Sequence, residues 1–112
     1  MEIIGIDISK ARLDAFRLGD GGRRSVGNDQ AGIDALVRWT ARPAIFVMEA
    51  SGGYERLAHR RLAEQGCHAS IVNPARVRDF AKAMGRLAKT DRLDAETIAR
   101  FGAFTKPARI DS

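Results

Sequence analysis

The first ten residues of the chain carry one carboxylate inside an apolar run. In MEIIGIDISK, Asp7 stands between Ile6 and Ile8, and no other acidic residue occurs between positions 3 and 13. A short run of β-branched residues around a single glycine predicts a buried β-strand over residues 2–8. A carboxylate in such a strand is unfavourable unless a basic side chain or a metal ion compensates its charge. Asp7 therefore requires a cationic partner, and either kind is compatible with the sequence.

The patterns that follow this strand predict a sheet built from a meander and two crossovers. Their order is strand 12–18, strand 23–27, a helix capped by Asn28 or Asp29, strand 44–48, helix 54–65, strand 67–72, a helix that starts at Pro74 and a helix over 91–104. The glycine-rich turn at 19–22 makes the first three strands an antiparallel meander. Right-handed crossovers then place the strand at 44–48 parallel to the first strand, and in the ribonuclease H-like arrangement that results these two strands are neighbours. The order βββαβαβ followed by helices predicts an α/β, ribonuclease H-like fold with a five-stranded mixed sheet, in which Asp7 and Glu49 lie side by side.

Composition limits the class of protein. The chain has 112 residues, 45% apolar and 29% charged, which is typical of one globular domain and not of a disordered chain. Lysine and arginine number 19 against 14 acidic residues, a net charge of +5. This excess favours a polyanionic partner such as nucleic acid, and a solvated basic surface is the alternative. Cys67 is the only cysteine, and the chain has no membrane-length apolar run or secretory signal, so a cytoplasmic protein without membrane contact is expected.

The end of the chain is typical of a linker. Its last residues, KPARIDS, combine a proline with mostly polar neighbours. We therefore expect one domain over residues 1–105 and the start of a linker to a further domain over residues 106–112.

A third acidic stretch lies late in the chain, in KTDRLDA at residues 89–95. Asp91 and Asp94 are three residues apart and share one face if a helix starts there. With Asp7 and Glu49 they supply four carboxylates, and oxygen ligands of this kind suit Mg²⁺ or Mn²⁺. Two such ions about 3.5–4 Å apart activate a water or hydroxyl in phosphodiester cleavage, with Asp7 as the natural bridging ligand. The alternatives are helix capping by the two later aspartates and ion pairs for the two strand acids.

Basic residues cluster around this acidic stretch. Those expected to contact nucleic acid are Lys10, Arg78, Lys82, Arg86, Lys89 and Arg92. Three of them, Arg78, Lys82 and Arg86, follow at intervals of four and so lie on one face of the third predicted helix. Their position next to the acids favours contact with backbone phosphates, and a solvated helix face is the alternative.

Residues 51–53, Ser-Gly-Gly, predict a sharp turn directly after the strand that ends at Glu49. The turn is not a P-loop, because the Gly-Lys-Ser/Thr ending is missing. Either it only bends the chain, or it brings backbone N–H groups close to a phosphate.

Four segments together resemble one protein family. They are GIDISK at 5–10, MEASGGYE at 48–55, NP at 73–74 and KTDRLDA at 89–95. In combination they resemble the N-terminal DEDD domain of the insertion-sequence transposases related to the Piv-type DNA invertases, over nearly the whole chain. Ser51 stands where the family pattern has a threonine, and the hydroxyl is kept.

This resemblance carries expectations about fold and chemistry. It implies a fold like that of the Holliday-junction resolvase RuvC and metal-dependent cleavage and recombination of DNA. The metal-binding tetrad that it implies consists of Asp7, Glu49, Asp91 and Asp94. The family's C-terminal domain, with a serine taken to be the nucleophile, does not occur in this sequence, so the chain is expected to be one half of a composite active site. A structured guide RNA and a homo-oligomer are expected for the full-length protein.

Two other functions are compatible with the sequence. Actin-like and sugar-kinase-like ATPases also open on a strand with Gly-x-Asp, although they require a phosphate turn after the aspartate, where this chain has Ser9 and Lys10. A non-catalytic nucleic-acid-binding module would use the acids as helix caps and ion pairs. ATP binding would support the first alternative, and the absence of metal affinity the second.

Overall fold

The computed structural model of the chain describes residues 1–41, 43–86 and 93–109, with the backbone alone described at 106–109. These residues form five strands and four helices. The strands are β1 (Glu2–Ile8), β2 (Arg12–Arg17), β3 (Arg23–Gly27), β4 (Ala44–Glu49) and β5 (His68–Val72). The helices are α1 (Gln30–Thr40), α2 (Arg56–Glu64), α3 (Pro74–Ala83) and α4 (Ala95–Arg109). The order of elements is the predicted one.

The five strands form one mixed sheet with β1 at its centre. Their order across the sheet is β3-β2-β1-β4-β5. The first three strands are antiparallel neighbours, whereas β4 pairs with β1 and β5 pairs with β4 in parallel. This sheet and its helices confirm the α/β, ribonuclease H-like fold.

Side chains alternate across the sheet, so each face has its own hydrophobic core. On the face that we call the α1/α2 face, the core includes Ile6 of β1 and Leu62 of α2. On the opposite, α3/α4 face, the core includes Ile3 of β1 and Ile98 of α4. Asp7 has the same parity as Ile3 along β1, so it faces α3 and α4.

Helix α4 lies unusually close to the sheet because small residues separate the two. A Cβ atom built at Gly5 of β1 would collide with the backbone oxygen of Ala95 and lie 2.6 Å from the backbone nitrogen of Ala99. Farther along, a Cβ atom at Gly102 would lie 2.7 Å from Cγ2 of Val47 on β4. The glycine of the GIDISK segment thus allows the first turn of α4 to rest on the backbone of β1.

The observed ends of the helices agree in part with those predicted from the sequence. Asp29 caps α1 by accepting a hydrogen bond from the backbone nitrogen of Gly32 at 2.7 Å, which settles the choice between the two predicted caps. Helix α4 begins at Ala95, later than predicted, although residues 91 and 92 lie outside the described residues. It continues to Arg109 and overlaps the segment predicted as a linker, so the domain boundary at residue 105 stays a prediction. In the described part of the chain, no helix has the length and apolar character needed to cross a lipid bilayer.

Candidate active site

Asp7 and Glu49 lie at the carboxyl ends of two neighbouring parallel strands. The register pairs Ile6 of β1 with Met48 of β4, and the next residue on each strand is one of the two acids. Adjacent strands are about 4.8 Å apart, and both acids face the α3/α4 side. Both residues are partly exposed. The strand register therefore places these two carboxylates side by side at the surface of the sheet, as the order of elements predicts.

Asp94 reaches the same region at the start of α4. Its Oδ1 atom accepts a hydrogen bond from the backbone nitrogen of Thr97 at 2.8 Å, so it acts as the N-cap. Asp94 and Asp7 line one groove of about 360 Å³. Burial raises the pKa of Asp94, but the hydrogen bonds from Thr97 and the charges of Arg86 and Arg23 outweigh burial and hold the pKa below its ordinary value. Asp94 is therefore ionised at neutral pH and able to bind a cation.

A fifth acid, Asp14, lies directly across from Asp7. The register of β1 and β2 pairs these two residues, and both line the groove. The carboxylate of Asp14 accepts a hydrogen bond from Oγ of Ser25 at 2.6 Å. The sequence prediction omits Asp14, although the signal was present: residues equally distant from the tight turn at 10–11 pair with each other in a hairpin. Two carboxylates in this arrangement repel each other unless a cation lies near them.

The carboxylates of the groove offer oxygen donors that suit a hard divalent cation. Among the residues that the structure describes, however, no three His, Cys, Asp or Glu side chains form a group that could hold a metal ion. Asp91, the fourth member of the predicted tetrad, lies outside the described residues. The donor chemistry thus fits Mg²⁺ or Mn²⁺, and the ligand set stays a prediction.

The turn after β4 is organised by the buried carboxylate of Glu55. Its Oε1 atom accepts hydrogen bonds from the backbone nitrogen of Ser51 at 2.9 Å, the hydroxyl of Ser51 at 3.0 Å and the backbone nitrogen of Gly53 at 3.1 Å. The hydrogen bond from the backbone of Ser51 is the main cause that lowers the pKa of Glu55 to about 2, against the effect of burial. Since these N–H groups donate to Glu55, the structure favours a turn that bends the chain over one that binds phosphate.

The predicted basic residues occupy different surroundings. Lys10 is exposed in the turn between β1 and β2, at the same end of the sheet as Asp7. Lys82 is exposed on α3, and Arg78 is partly buried on the same helix. Lys89 and Arg92 lie outside the described residues. The structure thus leaves the contacts of these residues with nucleic acid as a prediction.

The predicted place of Arg86 on the same helix face as Arg78 and Lys82 is wrong. Helix α3 ends at Ala83, and Gly85, with a φ of 69°, turns the chain away from the helix. A left-handed φ of this kind favours glycine, which the prediction did not take into account.

Arg86 instead belongs to a group of four charged residues, which we call the Glu96 cluster. The members are Glu96, Arg23, Arg86 and Arg100. An NH2 atom of each arginine lies close to the carboxylate of Glu96, at 3.1 Å for Arg23, 3.1 Å for Arg86 and 2.9 Å for Arg100. Arg100 and Arg86 lower the pKa of Glu96, with the hydrogen bond from Arg100 as the main cause. Sequence patterns do not predict this cluster, because its members come from β3, from the segment after α3 and from α4.

Known proteins resemble this chain over most of its length. The family model of IS110-type DEDD proteins, described as "Transposase", matches residues 4–111. The pilin gene-inverting proteins of Moraxella lacunata and Moraxella bovis are each 34% identical over 113 residues, which cover 93% of this chain and 35% of the relative. The chain thus spans about a third of the length of these curated relatives. Because the family model and the relatives cover nearly the whole chain, and the sheet has the topology that the resemblance implies, the chain belongs to the DEDD transposase family.

Proposed function

We propose that this chain is the metal-dependent catalytic half of a DNA recombinase. The proposed ligands for Mg²⁺ or Mn²⁺ are Asp7, Glu49, Asp91 and Asp94. The observations that support the proposal are that Glu49 is the strand neighbour of Asp7 and that Asp94 lines the same groove as Asp7. Family membership supports recombination of DNA as the process.

The residues of the chain prepare this site in two ways. The close approach at Gly5 fixes the first turn of α4, and hence Asp94, over β1. The hydrogen bond from Thr97 and nearby arginines keep Asp94 ionised. When bound, a pair of divalent ions would supply an activated oxygen nucleophile and stabilise charge on the leaving oxygen.

The relatives suggest how this half is completed. They are named pilin gene-inverting proteins, and inversion of a DNA segment requires strands to be rejoined as well as cut. Because the chain spans about a third of those relatives, we propose that rejoining requires a further domain, in line with the serine nucleophile that the family resemblance implies. A structured guide RNA, a homo-oligomer and a cytoplasmic location stay predictions.

The test is a calorimetric titration of the 112-residue chain with Mn²⁺, compared with the Asp7→Asn variant. We expect the wild type to bind Mn²⁺ and the variant to lose at least about tenfold in affinity, because a bridging carboxylate contributes to both ions. Folding is checked by circular dichroism, and Asp7→Asn should not lower the melting temperature in EDTA, because it removes repulsion among carboxylates.

Asp20→Asn is the matched control. Asp20 lies in the turn after β2, beyond Arg17, which pairs with Ile4 near the opposite end of β1 from Asp7. Both of its hydrogen bonds, from Arg17 and Gly22, go to Oδ1, which an asparagine can keep. Its Mn²⁺ affinity should equal that of the wild type.

Two results would contradict the proposal. Equal Mn²⁺ affinity of the wild type and Asp7→Asn would remove Asp7 from the ligand set. A wild type that binds no Mn²⁺, even with a DNA duplex present, would favour the non-catalytic nucleic-acid-binding module. If Mn²⁺ binds as expected, nicking of branched DNA is the next measurement.

A further inference from the structure

The Glu96 cluster carries more positive than negative charge, and its positive groups lie outermost. Among the residues that the structure describes, three arginines contact one glutamate, which gives these four residues a net charge of +2. The side chains of Arg23, Arg86 and Arg100 are 61%, 31% and 44% exposed, against 21% for Glu96. An anion that approaches from solvent therefore meets guanidinium groups before it meets the carboxylate.

The ion pair on the α1/α2 face has the opposite balance. There Arg61 contacts Asp34 at 3.0 Å and Glu64 at 4.0 Å, so one arginine faces two carboxylates. That arrangement is sufficient to tie α1 to α2. If the Glu96 cluster only tied α4 to β3, a single arginine would be enough. Arg23 and Arg86 also lower the pKa of Asp94, and each guanidinium has more N–H donors than these contacts use.

The guanidinium groups of the cluster are held in place before any ligand arrives. Arg23 lies over the ring of Phe16, with its Cζ atom 4.8 Å from the ring centroid, and Phe16 is buried. Arg100 contacts one carboxylate oxygen of Glu96 through both Nε and NH2. A guanidinium has five N–H donors, so contacts with Glu96 can coexist with contacts to phosphate oxygens. Groups that are held in this way lose little conformational entropy on binding.

The cluster also adjoins the candidate active site. Arg23 lines the groove together with Asp7 and Asp94, and Glu96 follows Asp94 by two residues in α4. A strand of nucleic acid that contacts the cluster would thus pass beside these acids. Planar guanidinium groups match the geometry of phosphate oxygens well.

We propose that the Glu96 cluster binds the phosphodiester backbone of DNA and seats one strand along the groove that holds Asp7 and Asp94. Glu96 acts as a positioning residue that keeps three arginines together at the edge of this groove. The inference rests on the proposed function in that DNA is taken as the ligand. It names Arg23 and Arg100 as DNA contacts and gives Arg86 a position away from the α3 face.

The test measures binding of a short fluorescein-labelled DNA duplex by fluorescence anisotropy over a range of NaCl concentrations, in EDTA. The double variant Arg23→Ala/Arg100→Ala should bind about tenfold more weakly than the wild type. The slope of log Kd against log salt concentration should fall by about 2, because two phosphate contacts are lost. The variant Arg23→Lys/Arg100→Lys keeps the charge but lacks the planar guanidinium groups. Its DNA affinity should lie between those of the wild type and the double alanine variant.

The matched control is Arg38→Ala/Arg60→Ala. These arginines are exposed on α1 and α2, so the control removes the same charge from the opposite face. The proposal is overturned if this control weakens DNA binding as much as Arg23→Ala/Arg100→Ala does, since net charge alone would then explain the loss. It is also overturned if the double variant binds DNA as tightly as the wild type does and binds only an RNA duplex of the same sequence more weakly.

Two further measurements keep the test decisive. If circular dichroism shows that the double variant is unfolded, Arg23→Ala alone replaces it, with Arg38→Ala as its control. Because the assay contains EDTA, its result does not depend on metal binding. Loss of DNA binding in the cluster variant together with equal Mn²⁺ affinity in Asp7→Asn would refute the proposed metal site and support the DNA contact.

Discussion

The two faces of the sheet are built by different means. On the α1/α2 face, large side chains such as Phe46, Met48 and Leu62 are fully buried between sheet and helices. On the α3/α4 face, α4 rests on the bare backbone of β1 at Gly5, and acids and arginines replace apolar side chains beyond that contact. The comparison teaches that both faces stabilise the domain through a hydrophobic core, whereas the α3/α4 face also uses a close helix–strand contact to bring acids and arginines from distant segments to one groove.

The largest effect is expected at the close contacts. Gly5→Ala should lower the free energy of unfolding by about 3 kcal/mol, because the new Cβ atom collides with the backbone of α4 and the helix must shift. Urea denaturation measures this loss. Gly32→Ala is the counterpart on the other face, where a Cβ atom would collide with the backbone oxygen of Gly27. Both variants should lose stability, and only Gly5→Ala should also lower Mn²⁺ affinity per folded molecule. Equal Mn²⁺ affinity in the two variants would contradict the claim that the contact at Gly5 positions the acids of the groove.

The next effect is a pH dependence that comes from the turn after β4. The pKa of Glu55 falls from 4.5 to about 2 on folding, so its contribution to stability is complete above about pH 4.5 and disappears as the pH falls towards 2. Glu55→Gln should lower the free energy of unfolding at pH 7 by about 2 kcal/mol, because a charged acceptor of several hydrogen bonds is lost. Urea denaturation between pH 7 and 2 should show that the difference between wild type and variant shrinks with acidity. Glu64→Gln, at an exposed position of α2, should show no such convergence.

A smaller effect is expected at two of the helix caps, Asp29 of α1 on one face and Asp94 of α4 on the other. Asp29→Ala and Asp94→Ala should each lower the free energy of unfolding by about 1 kcal/mol, because each removes an N-cap hydrogen bond. Asp94→Asn should restore stability, since asparagine is a good cap, and still lack Mn²⁺ affinity. Thermal unfolding and calorimetry separate the two roles. If Asp94→Asn binds Mn²⁺ as tightly as the wild type does, Asp94 is a helix cap and not a metal ligand.

The smallest effect is expected for the ion pair between α1 and α2. Arg61→Ala should lower the free energy of unfolding only slightly, because the pair with Asp34 is partly exposed and screened by solvent. Its DNA affinity should match that of the wild type after allowance for one charge, in contrast to Arg23→Ala. A larger loss of DNA affinity for Arg61→Ala than for Arg23→Ala would indicate that DNA binds the α1/α2 face and not the α3/α4 face.

The sequence predicts the sheet well because each strand has a clear local signal. The apolar runs of β1 and β4 and the glycine-rich turn after β2 are contained in short windows, so their identification requires no tertiary information. The side-by-side placement of Asp7 and Glu49 follows from the order of elements alone.

Other parts of the site depend on contacts between segments that are far apart in the chain. The Glu96 cluster joins residues separated by up to 73 positions, and no periodicity within one helix shows such a contact. Arg86 was placed on α3 because spacing by four is compatible with a longer helix, whereas Gly85 ends the run. The pairing of Asp7 with Asp14 was accessible from the sequence, and only a count from the hairpin turn would have shown it.

The contact at Gly5 also has a consequence for the order in which the domain is made. Translation produces the strand that carries Asp7 well before the helix that begins at Ala95. A nascent chain can pack its sheet against α1 and α2 while α4 is still being synthesised, because that core contains no residue of α4. Asp94 joins Asp7 in the groove only when α4 docks on β1. A partly synthesised domain can therefore have a folded α1/α2 core and yet lack the arrangement of acids that we propose to bind metal.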